Sequence, residues 1–348
     1  MESRIGVLLI VMAFAAVMSA PMLDAETADS EVFTYYDQLS DDEKSVYKEV
    51  YKATAVDETE KSFVIQLDGK TLFDDEKQAS EYADRTVNNA LRSLYLSTAM
   101  VPYIWGYPAT ELTVEAATKV VTVQAGESRE PYYVVDSVTF NLSVPEGITS
   151  TSMDDLNTAI AAISVTGGTP AEKVTSIMNN LNSISFKKDE EGQVSSIYDA
   201  LVLKKTSSAG VAQAFMQLCK LSGIMSSVVS GTNVIATNEG TSYWNYVYLE
   251  GDIEGETKYA WYIVDCSYCN SVGIAGYMTG LEYDSQQVSM VAVHMADTDL
   301  SFPMLNKGKY VKVGGPGFFE LYGEEILLII LAVILAGAMV YAVRTGNF

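Results

Sequence analysis

Apolar positions along the chain fall into two rhythms. Leu39, Val46 and Val50 recur at helical spacing, and Ser40 precedes Glu43 by three residues in the manner of a capping box, which predicts a helix over 41–53. Ala79, Ala83, Val87, Ala90 and Leu91 keep one apolar face and predict a second helix over 77–97. Between them, SFVIQLD reads as a strand. From 110 to 145 the rhythm changes to ELTVEAATKVVTVQ and YYVVDSVTFNLSV, rich in the β-branched and aromatic residues of strands. A helix is predicted from Pro170 to just before SISF, and further helices in SSIYDALV and TSSAGVAQAFMQLCKLSGI. In the last, Val211, Phe215, Leu218 and Cys219 share a face, and Gly223 stands where a C-cap belongs. The strands MSSVVSG, YWNYVYL and YAWYIVD follow, the last two joined as a hairpin through EGDIEGET. The expected class is α+β, with a helix packed on an antiparallel sheet and an N-terminal α/β region before it.

The two ends are apolar for a different reason. Arg4 supplies a positive start, Ile5 to Ser19 are mostly apolar, and small residues stand at Ala20 and Ala25. Pro21 disfavours cleavage after Ala20, so residues 1–25 read as a signal peptide, or as an uncleaved signal anchor. Either reading exports the body of the chain. Residues 326–343 carry no charge and would span about 27 Å as a helix, which predicts a transmembrane helix. Arg344 follows the span, so the positive-inside bias puts residues 344–348 in the cytoplasm and the bulk outside. Gly308, Gly314, Gly315, Pro316 and Gly317 mark residues 301–325 as a stalk, with Phe318, Phe319 and Tyr322 suited to the membrane interface. The expected plan is a signal over 1–25, an N-terminal α+β region over 26–165, a core domain over 166–300, then stalk, span and tail. The expected location is the cell membrane, single-pass, with an extracellular ectodomain.

Composition narrows the chemistry. A net charge of −23 repels phosphates, so no nucleic-acid partner is expected. The chain has three cysteines (Cys219, Cys266 and Cys269) and one histidine, His294. Three cysteines cannot build a disulfide scaffold, and one histidine leaves little for zinc or hydrolase chemistry. Cys266 and Cys269 stand at C-x-x-C spacing, open to a local disulfide, to reduced thiols, to pairing with Cys219, or to redox work. No metal or cofactor is expected, and Asp189-Glu190-Glu191 reads as a solvated loop. Asn141-Leu142-Ser143 is a glycosylation sequon.

The order helix, strand, aromatic hairpin ending in Asp resembles the transglutaminase-like superfamily, related to papain-like proteases and here of a microbial cell-surface type. Ser208-Ala209-Gly210-Val211-Ala212-Gln213-Ala214-Phe215 is similar to the family's Cys-x-Gly-Tyr-Ala-x-Ala-Phe helix start. Ser242-Tyr243-Trp244-Asn245 stands for His-Ala-Trp-Asn, and Trp261-Tyr262-Ile263-Val264-Asp265 for Trp-Tyr-x-Val-Asp. Further upstream, FTYYDQLSDDEKSVY resembles a helix that precedes such domains in microbial surface proteins.

The family's chemistry needs a thiolate, a histidine that deprotonates it and an acid that orients the histidine. The resemblance puts the nucleophile position at Ser208, the base position at Ser242 and the orienting acid at Asp265. This triad has lost its thiol and its imidazole. Cys219 lies three turns down the helix and reads as core, and His294 as a structural or surface residue. Ser207 and Ser208 read as N-cap residues accepting backbone N–H bonds. The expected function is a membrane-anchored surface protein whose inactive domain serves as a binding or structural module. An extracellular peptide, protein or glycan would be its ligand, with Trp244, Tyr246, Trp261 and Tyr268 as the contact aromatics. The alternative is an active hydrolase or transferase with a rearranged Ser- or Cys-based site.

Overall fold

The computed structural model describes residues 33–107, 111–125, 128–186, 195–233, 241–267, 294–296, 301–306 and 310–312. The expected signal, the span at 326–343, most of the stalk, and Cys269 and Tyr268 lie outside the described residues. Among the described residues, no helix is long and apolar enough to cross a membrane.

A short 3-10 turn at Tyr36–Gln38 leads into α1 (Asp41–Tyr51). The expected capping box is present: Ser40 Oγ accepts from the Glu43 N–H, and the Glu43 carboxylate accepts from the Ser40 N–H. Strand β1 (Glu60–Gln66) and α2 (Glu76–Ser97) follow, then β2 (Val114–Ala125) and β3 (Ser128–Ser143). These strands form an antiparallel sheet in the order β1-β3-β2. Helix α3 (Ser152–Ala161) has no counterpart in the expectations, although Met153, Leu156 and Ile160 give it a buried face. Its N-cap, Thr151, makes no side-chain cap bond although Asp154 follows at capping-box spacing.

The second half opens with α4 (Pro170–Leu181), capped by Thr169 and Glu172 and started by Pro170 at its first turn. Strands β4 (Ser185–Phe186) and β5 (Lys205–Thr206) form a short parallel pair around α5 (Ile197–Leu201). Helix α6 (Ser208–Leu221) then runs to Gly223, whose φ of +74° is the left-handed turn expected of a glycine there. A sheet in the order β8-β7-β6-β9 completes the fold, from β6 (Met225–Asn233), β7 (Ser242–Ile253), β8 (Glu256–Val264) and β9 (His294–Ala296). The β7–β8 hairpin closes on Glu254 and Gly255, both at positive φ, as a two-residue turn matching strand twist requires.

One core cluster runs from Tyr35 to Cys266 and draws on both halves. The Tyr35 hydroxyl donates to the Val228 carbonyl at 2.7 Å, and the Tyr95 ring meets Tyr243 edge-on at 5.7 Å. The N-terminal region thus packs directly onto the second sheet. Residues expected to open the stalk also lie against the domain. The Asn306 N–H donates to the Trp261 carbonyl at 2.9 Å, and the Asp252 N–H to the Val311 carbonyl at 2.8 Å. Gly251 makes room for this segment, since a Cβ there would come within 2.9 Å of the Tyr262 hydroxyl and 3.2 Å of the Val311 carbonyl.

Candidate functional site

The three positions singled out in the sequence converge where α6 meets the β7–β8 hairpin. Ser208 is the first residue of α6, Ser242 the first of β7, and Asp265 follows the last residue of β8. Helix α6 also lies close against β5 and the start of α5 because Gly210 lacks a side chain: a Cβ there would overlap Thr206 Oγ1 and the Ser196 carbonyl. From the other side, Asn245 Nδ2 donates to the Ala212 carbonyl at 3.0 Å and to the Ser227 carbonyl at 3.4 Å. This buried amide pins helix to sheet. Its position within the Ser-Tyr-Trp-Asn motif was the available signal, yet nothing in the motif alone distinguishes a clamp from a surface amide.

The corner is closed. Ser208, Ser242 and Asp265 are 1%, 3% and 2% exposed. Ser208 Oγ accepts the Tyr243 N–H at 2.9 Å, which ties the nucleophile position to the residue after the base position. The expected cap role is therefore corrected: Ser208 accepts a backbone N–H, but from β7 rather than from its own helix. Ser207 occupies the N-cap with extended dihedrals and makes no side-chain cap bond. Ser267 Oγ donates to Asp265 Oδ1 at 2.6 Å, so a hydroxyl contacts the acid that would orient an imidazole.

Cys219, considered as a substitute for the missing thiol, does not sit at this corner. Cys219 is eleven residues along α6 from Ser208, roughly 16 Å at the helical rise. Burial pushes its thiol well above the usual range, and the neighbouring Ser226 opposes the shift only in part. His294 pairs with Asn233 on β9, and β6 separates that strand from β7. At about 4.8 Å per strand, its backbone lies two strands from Ser242. Cys266 is buried beside Asp265. Among the described residues, no group of three or more His, Cys, Asp or Glu side chains is placed to hold a metal ion.

The aromatics expected to offer contact area are placed differently. Trp244, Tyr246 and Trp261 are 1%, 7% and 5% exposed and form a second core cluster with Val229 and Ile263. Phe33, Phe302 and Leu305 pack over that cluster, with Phe33 meeting the Trp261 ring edge-on at 6.3 Å. These three residues fill the outer face of the sheet instead of presenting a platform. Tyr243, Val247 and Leu249 fill the inner face.

A family model described as the transglutaminase-like superfamily matches residues 158–266, a span that holds all three corner positions. No curated protein matches the chain. Among solved structures, a transglutaminase crystal structure is 12% identical with a TM-score of 0.26, covering 44% of this chain and 44% of that one. A candidate protease from Parabacteroides distasonis is 13% identical with a TM-score of 0.21, over 46% and 41% of the two chains. A candidate cysteine protease from Cytophaga hutchinsonii is 13% identical with a TM-score of 0.25, over 57% and 83%. The chain covers less than half the length of the first two.

Proposed function

We propose that this protein, which carries a transglutaminase-like domain over residues 158–266, is a membrane-anchored surface protein in which that domain binds or supports and does not catalyse. One observation carries the reading: the nucleophile position holds a buried serine whose oxygen is already the acceptor for the Tyr243 N–H. A serine hydroxyl needs a general base to attack an acyl group. The base position is Ser242, which has no basic nitrogen. The thiol of Cys219 is displaced along the helix and held protonated by burial. What remains of the family's arrangement is its geometry, preserved by Gly210 and Asn245, and its acid.

The anchor rests on the apolar segments at 5–19 and 326–343. Two experiments test the proposal. Full-length protein would be assayed for amide hydrolysis and amine transfer on peptide substrates, with no turnover expected. Turnover abolished by Ser208→Ala or His294→Ala would sink the inactive reading. Protease added to intact cells should remove the ectodomain, and full protection would refute surface display.

A further inference from the structure

Asn141-Leu142-Ser143 is the one Asn-x-Ser/Thr triplet in the chain, and its middle residue is not proline. It lies on β3, the central strand of the β1-β3-β2 sheet. The two-residue period of a strand carries Asn141 and Ser143 to one face and Leu142 to the other. Val138, Phe140 and Leu142 are 0%, 2% and 3% exposed and fill the inner face, while Asn141 and Ser143 are exposed. Asn141 stands opposite Ser62 and Ser143 opposite Glu60, and both of these β1 residues are exposed as well. Strand β2 begins at Val114, opposite Phe140, so Asn141 has a ladder partner in β1 alone. Asparagine is depleted in strands, and a slip of one residue would send this one into the core in place of Leu142.

We propose that Asn141 is a modification site that carries an oligosaccharide on its amide nitrogen. The proposal rests on reading the protein as a surface protein, since an exported chain meets the glycosylating enzyme as it crosses the membrane. The donor is an oligosaccharide joined through its anomeric carbon to a lipid phosphate. Transfer forms the bond from Asn141 Nδ2 to that carbon and breaks the bond from the carbon to the phosphate oxygen. The amide gives up one proton, and the lipid phosphate leaves with the electron pair. Ser143 supplies the hydroxyl that the triplet requires two residues on. The folded domain has to supply room for the product, and the outer face of this sheet supplies it. Val64, Glu115 and Ala117 on that face are exposed too. Val64 pairs with Thr139, which makes it the diagonal neighbour of Asn141, about 7–8 Å away. The first sugars therefore lie over Val64, an apolar side chain that the fold leaves 64% exposed. A large polar group at this point shields apolar surface and solubilises the open face.

The test is mass spectrometry of full-length protein extracted from the membranes of the cells that make it. Trypsin and a glutamyl protease together release the peptide 130–146, in which Asn141 is the sole asparagine. That peptide should carry the added mass of a sugar chain. Asn141→Gln and Ser143→Ala should each lose the added mass completely, and Ser143→Thr should keep it. Both positions are exposed on the outer face, so these variants leave the core intact. A peptide of unmodified mass in the wild type would overturn the proposal. Added mass that persists in Asn141→Gln would place the sugar on a hydroxyl instead, and added mass that persists in Ser143→Ala would break the link to the triplet. Either result overturns the assignment. An unmodified peptide from a chain that external protease removes from intact cells would defeat this proposal and leave surface display standing. Full protection from that protease would refute both.

Discussion

The two main sheets bury their strands by different rules. In the β1-β3-β2 sheet, β1 alternates: Phe63 and Ile65 are 7% and 3% exposed, while Val64 between them is 64% exposed. One face meets α2 and the other meets solvent. In the β8-β7-β6-β9 sheet, six consecutive residues of β7, from Ser242 to Val247, are buried. Helix α6 covers one face, and the second aromatic cluster with Phe33 and Phe302 covers the other. A half-exposed sheet writes its inner face into the sequence as alternation. A doubly covered sheet erases that signal, and a polar group left within it without a hydrogen bond is costly. Ser208 is therefore a structural partner of β7 at the position where the resemblance looks for a nucleophile, and Asn245 clamps the helix beside it.

That contrast can be broken by substitution. Trp244→Ala should cost about 3–5 kcal/mol in urea denaturation, as for a large buried aromatic. Val64→Ala should stay within about 0.5 kcal/mol, as at an exposed position. Comparable costs would mean that the outer face of the second sheet is not core. Gly210→Ala should cost about 1–3 kcal/mol by overpacking against Thr206 and Ser196, read as a lowered denaturation midpoint. A neutral result would show that α6 does not need its close approach.

Three serines sharpen the comparison. Ser208→Ala leaves the buried Tyr243 N–H without its acceptor and should cost about 1–3 kcal/mol in urea denaturation. Ser40→Ala removes the capping box of α1 and should cost about 1 kcal/mol. Ser207→Ala, at an N-cap with no side-chain cap bond, should cost less than either. A larger loss from Ser207 than from Ser208 would overturn the assignment of the Tyr243 contact.

The smallest effect concerns pH. The Lys312 ammonium, together with the Thr169 and Gly168 N–H groups, lowers the Glu172 carboxyl to about 2. A carboxyl lowered on folding contributes stability above its unfolded value, roughly 4.3, and loses it as pH falls toward the folded one. Denaturation midpoints of the wild type should thus fall between about pH 4.5 and 2 more than those of Lys312→Ala. The group is exposed and screened, so the difference should be slight. Parallel profiles would show that the ion pair does not hold residues 310–312 to the domain.

The order of elements was legible in the chain because apolar period, caps and turns are local. Ser40 with Glu43, Pro170 and Gly223 mark helix ends by chemistry that acts within a few residues. Helix α3 escaped because it has only ten residues and three buried apolar positions, Met153, Leu156 and Ile160, too short a pattern to stand out. The resemblance in motif order pointed to Ser208, Ser242 and Asp265, and the start of α6, the start of β7 and the end of β8 are where the fold puts them. Tertiary structure decided that the aromatics of the second sheet fill a core. Trp244, Tyr246 and Trp261 read identically as contact or as core residues until Phe33 and Phe302, far off in the chain, close over them. It also decided that Ser208 serves β7 instead of its own helix. Such partners are brought together by chain folding across 35 residues for Ser208 and Tyr243 and more than two hundred for Phe33 and Trp261, separations over which local propensity carries no information.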